Sequence, residues 1–198
     1  HTRFRNVTGV QTCALPIFYV NPTLFARWRT STPRGQEYAK AAAELIKDPA
    51  IAFVPQNVRD AWPRFSARGG DPEGYRKTME FLRKYAEAGG KIIPGTDAGI
   101  MPGITLHYEM QMMVDAGIPP MKVIQGATLW GAESFGQQKN LGSIEPGKLA
   151  DITVIEGDPL ADISATQKIR TVILDGKVVD TAYDPEWTNA VPRPRGLE

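Results

Sequence analysis

Lys91-Ile92-Ile93-Pro94-Gly95-Thr96-Asp97-Ala98-Gly99 is the stretch on which the reading of this chain turns. A short apolar run stops abruptly at Gly-Thr-Asp, so a single carboxylate stands where a strand ends and a loop begins. Just upstream, Asp71-Pro72-Glu73 opens a helix: Asp caps the free amides, Pro suits the first helical position, and an acid suits the helix dipole. Tyr75, Met79, Leu82 and Ala86 recur on one face of that helix, and Gly89-Gly90 closes it. Helix, Gly-Gly turn and apolar strand form the αβ half of a parallel α/β unit. In a parallel α/β barrel the loops after the strands make the open face where chemistry is done. That placement nominates Asp97 as a catalytic or metal-binding carboxylate.

The same alternation extends in both directions. Phe18 to Asn21 reads as a strand stopped by Pro22, which lacks a ladder donor. Gly35 to Lys47 reads as a helix ended by Asp48-Pro49. Residues 51–70 are irregular, with Trp62 and Phe65 expected to pack a surface helix down. Beyond Asp97, Leu106 to Ala116 is expected to be a helix burying Met110, Met113 and Val114, with Gly117 as its cap. The methionines read as core filling, since Met adapts to irregular interiors. Ile118-Pro119-Pro120 restarts a helix through Val123, Ile124, Ala127 and Leu129, with a further turn near Ala132 to Phe135.

From Leu141 the pattern changes to short β-branched runs. Ile152–Ile155, Thr171–Leu174 and Lys177–Asp180 are expected strands of a separate small β module. Asp175-Gly176 is a strong hairpin signal, because a type I′ turn needs positive φ at both positions. The segment after Tyr183 reads as an irregular tail.

Bulk properties exclude several classes. The chain has 198 residues, 42% hydrophobic and 23% charged, with a formal net charge of +1. That balance predicts neither a nucleic-acid partner nor an anionic membrane surface, and no apolar run approaches the ~18 residues needed to cross a bilayer. One cysteine, Cys13, permits no internal disulfide. The two histidines, His1 and His107, cannot supply a His-rich metal site, which takes about three protein ligands. The sequence carries no marker of compartment, cytoplasmic or periplasmic, or of oligomeric state.

Val7 to Ile17 resembles the translation of a common short-read sequencing adapter carried into assembled environmental DNA. On that reading residues 1–17 are artefactual, and Cys13 is neither nucleophile nor ligand. An N-terminal strand with a Pro break is the alternative; a signal peptide fits poorly for want of an apolar core.

Several motifs occur in a distinctive order. They are Asn21-Pro22-Thr23-Leu24, Gly95-Thr96-Asp97-Ala98-Gly99, Pro102-Gly103 and Leu106-His107-Tyr108-Glu109, then Met113 to Ile118 and Gly126-Ala127-Thr128. Leu141-Gly142-Ser143-Ile144-Glu145-Pro146-Gly147-Lys148-Leu149-Ala150-Asp151, Asp158 to Ile163 and Leu174 to Lys177 complete the set. Together they resemble the C-terminal part of the metal-dependent amidohydrolase superfamily, in its prolidase-like and imidazolonepropionase-like branch, over about Phe18 to Asp180.

The resemblance implies an α/β protein: the C-terminal part of a (β/α)8 TIM barrel, holding about the last two strands and their helices, followed by strands of a small β-sandwich. The implied divisions are 1–17 artefactual, 18–140 partial barrel, 141–182 part of the composite sandwich and 183–198 tail. In this family the carboxylate of the eighth strand, matched by Asp97, contacts a divalent metal, zinc in first place, and exchanges a proton with the hydrolytic water. The implied substrate is a small amide or peptide-like molecule cut at a C–N bond. His107 matches a position early in the following helix, where it either faces substrate or serves as a structural histidine. Asp151, Asp158 and Asp162 read as turn and capping residues, and Lys148 as solvated.

The family's other metal ligands, a His-x-His pair, a bridging group and two further histidines, have no counterpart here. The chain is therefore expected to be an inactive fragment that holds metal weakly. The competing readings are a non-catalytic interaction module and a catalytically dead homologue.

Overall fold

The computed structural model describes residues 18–51, 54, 56–60, 70–97 and 103–180. The expectations for Val7 to Ile17, Trp62, Phe65 and the tail lie outside these residues. Strand β1 (Tyr19–Val20) pairs in parallel with β2 (Lys91–Ile92), Tyr19 opposite Lys91 and Val20 opposite Ile92. The connection between them runs through α1 (Leu24–Trp28), α2 (Gly35–Leu45), the short α3 (Gln56–Arg59) and α4 (Pro72–Glu87). A parallel pair needs such a crossover, and helices supply it.

Helix α4 forms as its sequence predicts. Asp71 Oδ1 accepts the Gly74 amide at 2.9 Å, and Met79, Leu82 and Ala86 are buried. Its outer face carries ion pairs at i,i+3 and i,i+4 spacing, Glu73 with Arg76 and Arg83 with Glu87 among them. At this exposure solvent screens them, and they add little to stability.

Helix α5 (Ile104–Asp115) departs from expectation. A single buried face was predicted, yet every residue from Tyr108 to Met113 is buried. Six consecutive residues cannot share one face of a 3.6-residue helix; the middle of α5 is enclosed on all sides, while Leu106 and Asp115 nearer its ends are exposed. It packs on α1, on α4, on α6 (Pro120–Gln125) and on a 3₁₀ turn at Ile163–Gln167. Phe25, Tyr38 and Tyr108 join α1, α2 and α5, with ring centroids 4.5 to 5.4 Å apart.

The helix after Pro119-Pro120 is not continuous. Gly126–Trp130 forms a π-helical turn between α6 and α7 (Gly131–Ser134). Gly126 lies against the end of β2: a Cβ there would stand 2.2 Å from the Ile92 carbonyl oxygen. Gly126→Ala is therefore expected to destabilise the protein by ~2 kcal/mol through overpacking. Helix propensity alone would favour the alanine by about 1 kcal/mol. A urea titration showing a lower midpoint supports the close approach; a raised midpoint rules it out.

The C-terminal module is the antiparallel sheet β3 (Ile152–Ile155), β4 (Ile169–Leu174) and β5 (Lys177–Val179), in that order. Asp175 (φ 49°) and Gly176 (φ 74°) make the predicted turn between β4 and β5. The register slips between Val154 and Ile155, so Val154 faces Thr171 while Ile155 faces Ile169.

Candidate active site at the strand ends

Both parallel strands run toward the same rim, and each continues into a loop holding a non-glycine residue in the left-handed region. Thr23 follows β1 with φ 48°, and Asp97 follows β2 with φ 50°. Asp visits this region at low cost, but a β-branched Thr there is strained. The Ile93 amide donates to the Val20 carbonyl at 2.9 Å, extending the pairing toward the rim. Asp97 then stands exposed, five residues beyond Ile92.

The two loops touch. A Cβ on Gly95 would fall 1.8 Å from Asn21 Oδ1, so the bare glycine makes room for the asparagine side chain. Thr23 Oγ1 donates to the same Asn21 oxygen at 3.1 Å. Beneath them lies Glu109, fully buried on α5. Its Oε1 accepts the Leu24 amide at 2.8 Å and its Oε2 the Phe25 amide at 2.7 Å. Burial pushes the Glu109 carboxyl up to about 7, although the amides it accepts pull the other way.

The opposite ends of the strands are held by another glutamate. The Tyr19 hydroxyl donates to Glu133 Oε2 at 3.2 Å, and the Lys91 ammonium pairs with the same oxygen. The strand pair is thus clamped at its start by Glu133.

His107 sits on α5 against the 3₁₀ turn, with Nδ1 3.0 Å from Thr166 Oγ1. Because the Thr166 hydroxyl donates to the Ile163 carbonyl at 2.8 Å, Nδ1 must carry the hydrogen in this contact. Nε2 is then left with its lone pair. Burial holds this imidazole below its ordinary value, so it is neutral at pH 7. Among the described residues no hydrogen bond links His107 to Asp97. Asp97 stands exposed at the strand-end rim, whereas His107 is engaged with Thr166 of the 3₁₀ turn.

The aspartates of the β module hold turns, as expected. Asp151 Oδ1 accepts the Asp175 amide, Asp158 Oδ1 that of Leu160 and Asp162 Oδ1 that of Ser164, all at 2.8 to 2.9 Å. Lys148 differs from its sequence reading. Its side chain is only 11% exposed, bonded to Ser143 and 3.1 Å from Glu145 Oε1. It borders an open groove of about 1090 Å³ between Ile124–Phe135 and Leu141–Thr153. Neither Asp97 nor His107 lines that groove, so cavity size and strand-end chemistry point to different places. The strand ends have the stronger claim, because the groove's two carboxylates are already engaged, Glu145 with Ser143 and Lys148 and Asp151 with the Asp175 amide.

Sequence reasoning missed Glu109. Its signal was present: a lone acid inside Tyr108-Glu109-Met110-Gln111-Met112-Met113, where a charge is costly unless bonded.

Residues 39–179 match the amidohydrolase family. The chain belongs to that family. An adenine deaminase from Clostridium botulinum is 40% identical over 88 residues, 44% of this chain and 13% of the relative. An imidazolonepropionase from Fusobacterium nucleatum is 37% identical over 82 residues, covering 40% and 20%. The crystal structure of a Xaa-Pro dipeptidase with bound methionine in its active site aligns with a TM-score of 0.53 at 35% identity. It covers 81% of this chain and 34% of that one. The matched part of this chain thus spans between 13% and 34% of the length of these amidohydrolase relatives.

Amidohydrolases are generally metal-dependent. The described residues do not fit a metal centre on their own: among them no three His, Cys, Asp or Glu side chains converge.

Proposed function

We propose that this amidohydrolase chain is the C-terminal part of a hydrolase that cleaves a C–N bond in a small amide, cyclic amide or dipeptide. The observation that carries the reading is the position of Asp97, exposed beyond a parallel strand pair at the rim, within a segment matched to the family. Asp97 accepts a proton from the water that attacks the carbonyl carbon and returns it to the leaving nitrogen, so one carboxylate serves both halves of the hydrolysis. Any divalent metal, zinc in the first instance, would take Asp97 as one ligand and draw the rest from sequence outside this chain. His107 is assigned a substrate-side role only through its free Nε2.

On the same reading, residues 18–140 are about the last two strands and helices of a (β/α)8 barrel, and residues 141–182 are half of a β-sandwich. Val178 on β5, 72% exposed, supports further strands over the small sheet. Residues 1–17 are artefactual and 183–198 a tail. No helix among the described residues is long and apolar enough to cross a membrane.

The test is to recover the reading frame upstream and purify both proteins. The longer protein should hydrolyse a member of a panel of dipeptides, N-acyl amino acids and cyclic amides. The 198-residue chain should show no turnover and less than about 0.1 equivalent of bound metal, since one carboxylate falls short of the ligand count. Stoichiometric metal with turnover in the short chain would overturn its inactivity. A longer protein inert toward every C–N substrate would overturn the hydrolase reading.

A further inference from the structure

We propose that Asn21 is a substrate-binding residue: its side-chain amide, seated between the two strand-end loops, donates to a carbonyl or carboxylate oxygen of the small amide held beside Asp97. That this oxygen belongs to a hydrolysed substrate rests on the hydrolase reading. That Asn21 is a preset donor to an oxygen does not.

A helix start is ordinarily capped from its own loop by Ser, Thr, Asp or Asn. Thr23 precedes α1 and makes no such bond. Glu109 caps the Leu24 and Phe25 amides instead, at 2.8 and 2.7 Å. The Thr23 hydroxyl is thereby released, and it donates to Asn21 Oδ1 at 3.1 Å. Thr23 does this from φ 48°, a region costly for a β-branched residue. Strained backbone persists only where its surroundings over-determine it, and it gathers at ligand clamps.

The second loop fixes the amide from its other side. A Cβ on Gly95 would lie 1.8 Å from Asn21 Oδ1 and 2.5 Å from both Cγ and Nδ2, so the amide rests directly on the glycine backbone. Gly95 is not among the glycines with positive φ; its bareness answers to Asn21, not to a backbone that excludes side chains. The acceptor of the amide is thus engaged and its place is set. Its two Nδ2 hydrogens are not engaged: Asn21 is exposed, and among the described residues it makes no other hydrogen bond. Such a group has only donors left to offer, and an oxygen is what they match. Asp97 follows Gly95 by two residues, which span at most roughly 7 Å. The Asn21 amide therefore stands within about 10 Å of the Asp97 backbone, a distance that a dipeptide bridges. An amide already held in place needs no further ordering when the substrate arrives.

The experiment compares wild type, Asn21→Ala, Asn21→Asp and Gly95→Ala in the full-length gene product, on the panel of dipeptides, N-acyl amino acids and cyclic amides. Aspartate keeps the size of Asn21 and the acceptor for Thr23 but puts an oxygen where the N–H donors were. Both Asn21 variants should keep the wild-type urea midpoint, as exposed substitutions usually do, and lower kcat/KM about 10- to 100-fold. Gly95→Ala, whose methyl displaces the amide, should lose as much. Asn21→Ala combined with Gly95→Ala should lose no more than either alone, because both act on one group. A loss on every substrate assigns the oxygen to the scissile carbonyl; a loss confined to dipeptides and N-acyl amino acids assigns it to their carboxylate.

Asn21 variants within about twofold of wild type on the whole panel would overturn the proposal and leave Asn21 as packing between two loops. Binding is read apart from turnover with N-acetylglycine, which carries both kinds of oxygen. It should raise the Tm of wild type saturably, with half-saturation about tenfold weaker in Asn21→Ala. Should wild type hydrolyse no member of the panel, the hydrolase reading fails, and this shift still decides the role of Asn21. A shift absent from wild type, or equal in wild type and Asn21→Ala, would overturn the donor.

Discussion

Asp97→Asn in the full-length protein is expected to lower kcat by about 10²–10⁴-fold, the range for losing a general acid–base group. Its stability should stay within ~0.5 kcal/mol of wild type, as is usual for surface substitutions. The two expectations come from the same geometry. Asp97 is exposed, so the substitution uncovers no buried polar group. Its φ of 50° lies in the region that Asn, like Asp, adopts readily. The amide is nearly isosteric but cannot take up the proton, and the loss should appear in kcat more than in KM. Parallel measurements of kcat, KM and urea midpoint test this. An Asp97→Asn protein with wild-type kcat removes Asp97 from the chemistry. A large drop in midpoint would instead make the loop's conformation depend on the charge.

Stability should also depend on pH in a way that Glu109 dominates, since its carboxyl is moved by burial from 4.5 to about 7. The folded state then holds a proton that the unfolded chain has released between those values. Unfolding free energy falls as pH rises through that window, because the native state binds more protons. The contribution is fully present below about pH 4.5 and lost above about pH 7, and amounts to about 3 kcal/mol from the shift.

His107 has the opposite sign. Burial lowers its folded value below 6.5, so stability is lost as pH falls and the unfolded imidazole takes up its proton. Glu73, Glu80, Glu145 and Asp162 are held below the usual carboxylate range by Arg76, Lys84, Ser143 and Ser164, in that order. Their stabilisation is present above the unfolded values and lost in acid. Denaturation of wild type and Glu109→Gln from pH 4.5 to 8 isolates the buried acid. The difference between them should change by about 3 kcal/mol across that range. A difference independent of pH would mean that Glu109 ionises freely inside the fold.

Local features of the fold were legible because local chemistry determines them. Asp71-Pro72 at a helix start, Asp175-Gly176 in a hairpin and the β-branched runs of the small sheet each act through their own backbone. The ordered motifs from Asn21 to Lys177 were sufficient to reach the amidohydrolase family, and Gly-Thr-Asp at the end of an apolar run marked Asp97. Sequence periodicity misjudged α5 because it describes one face of a helix. Burial on every side is a property of the neighbours, here α1, α4, α6 and the turn at Ile163–Gln167.

The π-helical turn at Gly126–Trp130 was also hidden, since its position is tied to an approach between Gly126 and the Ile92 carbonyl. Glu109 is the clearest case. Sequence alone shows one acid in an apolar helix, whereas only the tertiary structure brings the Leu24 and Phe25 amides to its two oxygens. The family, the strand-end carboxylate and the turns follow from residues acting where they stand. What caps the start of α1 is a side chain about 85 residues away in sequence, and only chain folding makes them neighbours.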